Sequence, residues 1–206
     1  FSDLFFSKSS FCIVCSGHFL LEKQIIISKF LLRGNHPKFN DMTLSFNKRL
    51  LEICNKKNNR LCIGLDIDPD CFPMGRDTSI EGMEEFSKEV IDGTLDFCPA
   101  YKPNFAFFER FGSKGYALLE SIVDYISGRA LVIADAKRGD IGNTSYQYAR
   151  AILKNMGCDA ITISPYLGRD AIEPFLTDID KGVFILAMTS NDSAAEIQNN
   201  QIDAIP

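Results

Sequence analysis

The chain has 206 residues, 46% of them apolar and 24% charged, which is the mixture of a soluble globular protein with one sizeable core and excludes disorder as the default. Lys and Arg number 22 against 27 Asp and Glu, a net charge of −5 with no dense basic run, so neither nucleic acid nor an acidic membrane surface is an expected partner. Seven cysteines, an odd number in no repeating framework, read as reduced thiols of a cytoplasmic protein.

In chain order, residues 1–41 come first and stand apart. Their apolar stretches are broken by Lys8, Glu22, Lys23 and Lys29, so none is long enough to span a bilayer. A single arginine, Arg33, and no cleavage pattern argue against a targeting peptide. Cys12 and Cys15 form a C-x-x-C without a second ligand pair, and neither His18 nor His36 completes a site, so no metal is expected. Residues 1–41 are expected to be a leader or upstream read-through. Met42 opens a polar, helix-like run through Glu52 and is the expected true start.

From Leu61 onward, short apolar runs alternate with stretches of helical period, the signature of repeated βα units around a parallel sheet. The expected strands are Leu61–Asp66, Phe97–Lys102, Ala130–Asp135, Ala160–Ser164 and Val183–Met188. Their starts recur every ~25 to 35 residues, one strand plus a returning helix. Between them, Thr78 with Glu81 forms a capping box ahead of a helix with the stripe Met83, Phe86, Val90 and Ile91. The next helix carries Leu118, Leu119, Ile122, Val123 and Ile126. A third runs from about Asn143, buries Tyr146, Ala149, Ile152, Leu153 and Met156, and ends at Gly157 in a left-handed cap. Five such units fit an open doubly wound sheet or the first part of an eight-stranded barrel, and periodicity leaves both open.

Charged residues gather at the strands' carboxyl ends: Asp66, Lys102, Asp135 and Lys137. Both architectures bind ligands at that end. Asp135 and Lys137, two apart, project to the same side if the extended conformation continues through them. A D-x-K pair is ordinarily a solvated ion pair. Here the apolar strand leading in, the second strand-end lysine Lys102 and the scarcity of other polar residues in the strands favour a shared pocket. Phe105, Phe107, Phe108 and Phe111 read as packing rather than a base-stacking platform.

Asp135-Ala-Lys137-Arg-Gly-Asp140-Ile-Gly-Asn-Thr144 resembles the D-x-K-x-x-D signature of orotidine 5'-phosphate decarboxylases, in the form common in bacteria, and Ala100-Tyr-Lys102-Pro-Asn104-Phe-Ala-Phe-Phe-Glu109 resembles the segment around that family's first catalytic lysine. Ile63-Gly-Leu-Asp66, Ile163-Ser-Pro-Tyr-Leu-Gly-Arg169-Asp and Met188-Thr-Ser190-Asn191 are similar as well, so the likeness covers about residues 44 to 198.

The resemblance implies an α/β fold, a (β/α)8 TIM barrel of which about the first five βα units are present, with 42–206 forming an incomplete barrel. It implies cofactor-free decarboxylation of orotidine 5'-phosphate to uridine 5'-monophosphate by a homodimer. Lys102, Asp135, Lys137 and Asp140 would form an alternating charged array, with Asp140 and Thr144 reaching into the partner's site beside Ile141. Asp66 and Lys102, helped by Asn104, would hold ribose hydroxyls, and Ser190, with Thr189 or Asn191, the pyrimidine edge. The family's phosphate contact comes from a late Gly-Arg segment, and Arg169 is expected to serve local structure instead. Without the later strands the piece is expected to be poorly soluble and inactive. The alternatives are a metal-dependent sugar-phosphate decarboxylase or synthase on the same scaffold, and an inactive barrel remnant with a structural or binding role.

Overall fold

A computed structural model describes residues 45–199. Residues 1–41, with the C-x-x-C and both histidines, and Met42 lie outside them. The order of elements is α1 (Phe46–Lys57), β1 (Cys62–Leu65), α2 (Ile80–Thr94), β2 (Ala100–Pro103), α3 (Phe105–Glu109), α4 (Gly112–Ile126), β3 (Leu131–Arg138), α5 (Gly142–Ala149), β4 (Ala160–Ile163), α6 (Arg169–Ile172), β5 (Gly182–Ile185) and α7 (Ala195–Gln198).

The five strands lie in the order β1-β2-β3-β4-β5, and every neighbouring pair is parallel. Strand order without reversal decides between the two architectures that periodicity left open, because a doubly wound sheet reverses direction at a switch point. The sheet is the first five strands of a TIM barrel.

Alternation along each strand sorts the side chains into two layers. Ile63 and Leu65 of β1, Tyr101 of β2, Val132, Ala134 and Ala136 of β3, and Ile161 and Ile163 of β4 face the helices in one large core with Met83, Ile91, Leu119, Ile122 and Ile152. Ala100, Leu131, Ile133 and Ala160 face the other way and pack with Phe46 of α1 in a second core. Each large apolar side chain so buried contributes about 1.5–3 kcal/mol relative to leaving it in water. The period of two then carries upward: the next inward positions are Asp66 beyond β1, Lys102 on β2, Asp135 on β3 and Thr162 on β4. A polar layer therefore sits directly on an apolar one.

The inner core is closed from below by α1. Phe46 stands edge-on to Phe184 of β5 with ring centroids 6.1 Å apart. Its N–H donates to the Ile179 carbonyl at 3.1 Å. Arg49 bonds the Asp159 carboxylate at 2.6 Å and the Asp180 carbonyl at 2.7 Å. Gly182 leaves room for this helix, since a Cβ there would meet the Phe46 ring at 2.5 Å.

Several expected details shift. The α2 N-cap is Ser79, not Thr78: its Oγ accepts from Gly82 N at 3.2 Å, and Asp77 fixes the hydroxyl at 2.7 Å. The segment from Phe97 is not strand. Its N–H returns to the Thr94 carbonyl as a turn closing α2, and the ring is exposed, so β2 starts only at Ala100. In α5 the buried position belongs to Ser145 rather than Tyr146, because the helix starts at Gly142 and Ser145 satisfies its hydroxyl on the Asp140 carbonyl at 2.6 Å. The helix continues as a π-helical turn over Arg150–Asn155, keeps Ile152 and Leu153 inward, and ends at Gly157 with φ 82° as the sequence implied. Phe105 and Phe108 are core, with Phe107 and Phe111 packed against it.

Candidate active site

Asp135 is the centre of the polar layer and is 4% exposed. Lys102 Nζ lies 2.5 Å from its Oδ2 and Lys137 Nζ 2.6 Å from its Oδ1, so one carboxylate bridges two ammonium groups. Burial pushes the Asp135 carboxyl up, but the two lysines more than offset this and hold it below the usual carboxylate range. Asp66, on the adjacent strand end, accepts from Asn104 Nδ2 at 3.2 Å. Here burial prevails over the Asn104 bond and the charge of Lys102, and the carboxyl is raised. Asn104 itself bridges to Asp135 through the backbone and caps α3, accepting from Ala106 N at 3.3 Å. The structure thus brings Asp66, Lys102, Asn104, Asp135 and Lys137 together.

Lys137 arrives there by another route than a continued extended strand. Its φ is +45°, in the left-handed region that a lysine enters only at a cost of about 1–3 kcal/mol. The β3–β4 register slips at the same place: Ala134 pairs with Ile161 and Arg138 with Ile163, so four steps on β3 match two on β4. This is a bulge, and bulges re-aim side chains beside active sites. The left-handed residue turns the lysine back over Asp135.

Beyond the bulge, Asp140 Oδ1 accepts from Ile141 N at 2.8 Å, and Ile141 and Thr144 lie exposed at the start of α5. Asp140 is half-buried and Thr144 exposed. Ser190 is exposed after β5, where Thr189 Oγ1 donates to Asn191 Oδ1 at 2.6 Å and Gln198 holds the Thr189 N–H at 2.8 Å. An open cleft of about 540 Å³ is lined by Ser164, Tyr166, Leu186, Thr189 and Asn191, and none of the array residues lines it. The array, not the cleft, has the chemistry. Arg169 bonds Glu173, the residue that follows α6, at 2.8 Å.

Two site residues escaped sequence reasoning. Thr162, 6% exposed, receives the Ala136 and Lys137 N–H groups at 3.1 and 2.9 Å and stands 3.1 Å from Asp135 Oδ1. Arg138 pairs with Glu109 of α3 and lies over the Phe105 and Tyr148 rings at 5.8 and 5.3 Å, tying the bulge to both flanking helices. The available signal for Thr162 was a polar residue at an inward position of an otherwise apolar strand.

The model of the orotidine 5'-phosphate decarboxylase / HUMPS family matches residues 59–205, well over half of the chain. The chain belongs to that family. It is 44% identical over 155 residues to the orotidine 5'-phosphate decarboxylase of Dehalococcoides mccartyi, covering 75% of this chain and 56% of that protein. With the enzyme of the same name from Thermomicrobium roseum it shares 46% over 156 residues, 76% of this chain and 56% of that one. The structure of Leishmania donovani OMP decarboxylase superposes with a TM-score of 0.67 at 36% identity, over 78% of this chain and 60% of the other. The chain therefore spans somewhat more than half the length of the curated relatives it matches.

Proposed function

We propose that the protein carrying this chain is a carbon–carbon lyase of pyrimidine synthesis that converts orotidine 5'-phosphate to uridine 5'-monophosphate in the cytoplasm. The observation that supports it most is the buried Asp135 bridged by Lys102 and Lys137 on one inward face. Loss of CO2 from C6 leaves a vinyl carbanion, and fixed positive charge in a water-poor pocket is what such an anion needs. Lys137 steadies the developing charge as an ammonium and then delivers its proton to C6. Asp135 beside the substrate carboxylate makes a like-charge contact that departure of CO2 relieves.

That contact alone is too small. Two unit charges about 4 Å apart at an effective dielectric near 20 interact by roughly 4 kcal/mol, or about a thousandfold in rate. Most of the acceleration is therefore assigned to stabilisation of the transition state, aided by binding energy from parts of the substrate remote from C6. In this reading Asp66, Asn104 and Lys102 hold the ribose and Ser190 the pyrimidine edge. Asp140 and Thr144 act in the site of a second copy, as the resemblance to the family implies, with Ile141 binding substrate beside them. A metal is not invoked, because a divalent cation at Asp135 would meet two ammonium groups already on its oxygens.

The test is Lys137→Ala in the natural full-length protein. Turnover should fall by about a thousandfold or more, the upper range for a lost general acid, with the fold intact by circular dichroism. Retained turnover would remove the proposed proton donor and the reading with it.

A further inference from the structure

We infer that Thr162 is a positioning residue of this site, whose buried hydroxyl fixes the left-handed turn at Lys137 and at the same time holds Asp135 Oδ1, so that ammonium and carboxylate are presented to substrate as one unit. The inference rests on the decarboxylase reading and adds a residue to it.

A threonine hydroxyl has one hydrogen and two acceptor lone pairs. The two lone pairs take the N–H groups of Ala136 at 3.1 Å and Lys137 at 2.9 Å. The hydrogen is left for Asp135 Oδ1 at 3.1 Å, the Ala134 carbonyl at 3.4 Å being the longer alternative. The hydroxyl is saturated by residues 134–137 alone. Those are the residues of the register slip, where a regular parallel ladder would have supplied a β4 carbonyl to receive the β3 N–H groups. Thr162 sits opposite the extra residues and accepts in place of that carbonyl.

Two consequences separate this role from mere filling of space. Valine has the same shape but no acceptor, so the buried Ala136 amide and the half-buried Lys137 amide would both lose their partner. The bulge would then relax toward a conformation that no longer turns Lys137 over Asp135. Serine lacks the methyl but keeps the hydroxyl, so the geometry should survive.

The experiment is steady-state decarboxylation of orotidine 5'-phosphate by the full-length protein and its Thr162→Val and Thr162→Ser variants, with thermal melts of all three. Thr162→Val should keep a cooperative melt and lose kcat by about ten- to a hundredfold, as expected for one lost bond to a charged group. Its KM should move by less than about threefold, because the interaction matters at the reacting centre rather than in ground-state binding. Thr162→Ser should stay within about threefold of the parent. A wild-type kcat in Thr162→Val, a loss carried by KM alone, equal losses in the two variants, or an unfolded valine variant beside an impaired serine one would each overturn the inference. If the parent itself shows no turnover, the decarboxylase reading falls and takes this one with it; turnover in the parent with any of those four results sinks only the role of Thr162.

Discussion

Asp66 and Asp135 share one inward face and burial works against both, yet they end with opposite shifts. Asp135 has an ammonium on each oxygen and is lowered; at Asp66 burial outweighs the Asn104 amide and the charge of Lys102, and the carboxyl is raised. The signs matter for stability. A lowered folded pKa means that Asp135 contributes stability above the ordinary carboxylate value, lost as the pH falls through its folded value. A raised pKa means the reverse for Asp66: its charge opposes folding at neutral pH, and that penalty vanishes as the pH falls through the raised value to the ordinary one. Asp66→Asn should therefore melt at or above the parent temperature at pH 7 while turning over substrate more weakly, a trade of stability against function. The gap in melting temperature should close with acidification. A variant that melts lower at pH 7 and equally low in acid would show that burial does not dominate at Asp66. Asp66, Lys102 and Asp135 were legible in the sequence because strand alternation is a rigid rule. Lys137 reached the expected pocket through a different backbone, since a positive φ leaves no mark in a D-A-K string. Thr162 was hidden inside Ala-Ile-Thr-Ile, which reads as one apolar strand.

Elements were legible where burial enforces a period and blurred at their ends. The stripe of α4, Leu118 to Ile126, is buried residue for residue as the spacing implied. Helix starts depend on which side-chain oxygen meets a free N–H, and Asp-Thr-Ser offers three adjacent choices ahead of α2. Ser79 takes that role because Asp77 orients it. Ser79→Ala should thus cost about 1 kcal/mol in chemical unfolding, whereas Thr78→Ala should be nearly neutral. Equal losses would return the cap to Thr78. Strand ends blurred for a similar reason: Phe97 and Cys98 are apolar enough for a strand, but both amides close the turn after α2.

At the scale of the whole molecule, the sheet order settles the architecture, and β1 and β5 are its two edges among the described residues. A barrel closes by joining such edges, and further strands between them would complete it. The proposed sharing of Asp140 and Thr144 between two copies is testable without a structure of the assembly. If each site takes Lys137 from one copy and Asp140 from another, mixing inactive Lys137→Ala and Asp140→Ala proteins under exchange should restore about a quarter of parental activity, one intact site per heterodimer and half the dimers mixed. No recovery at all, with exchange verified by mass, would place both residues in one subunit's site. The α1 anchor has a bearing on synthesis. Arg49 meets partners 110 and 131 positions later in the chain, so this helix leaves the ribosome long before its berth exists. It must wait, undocked, until β4 and β5 have emerged, and the floor of the nascent barrel stays open until the latest of the five strands is in place.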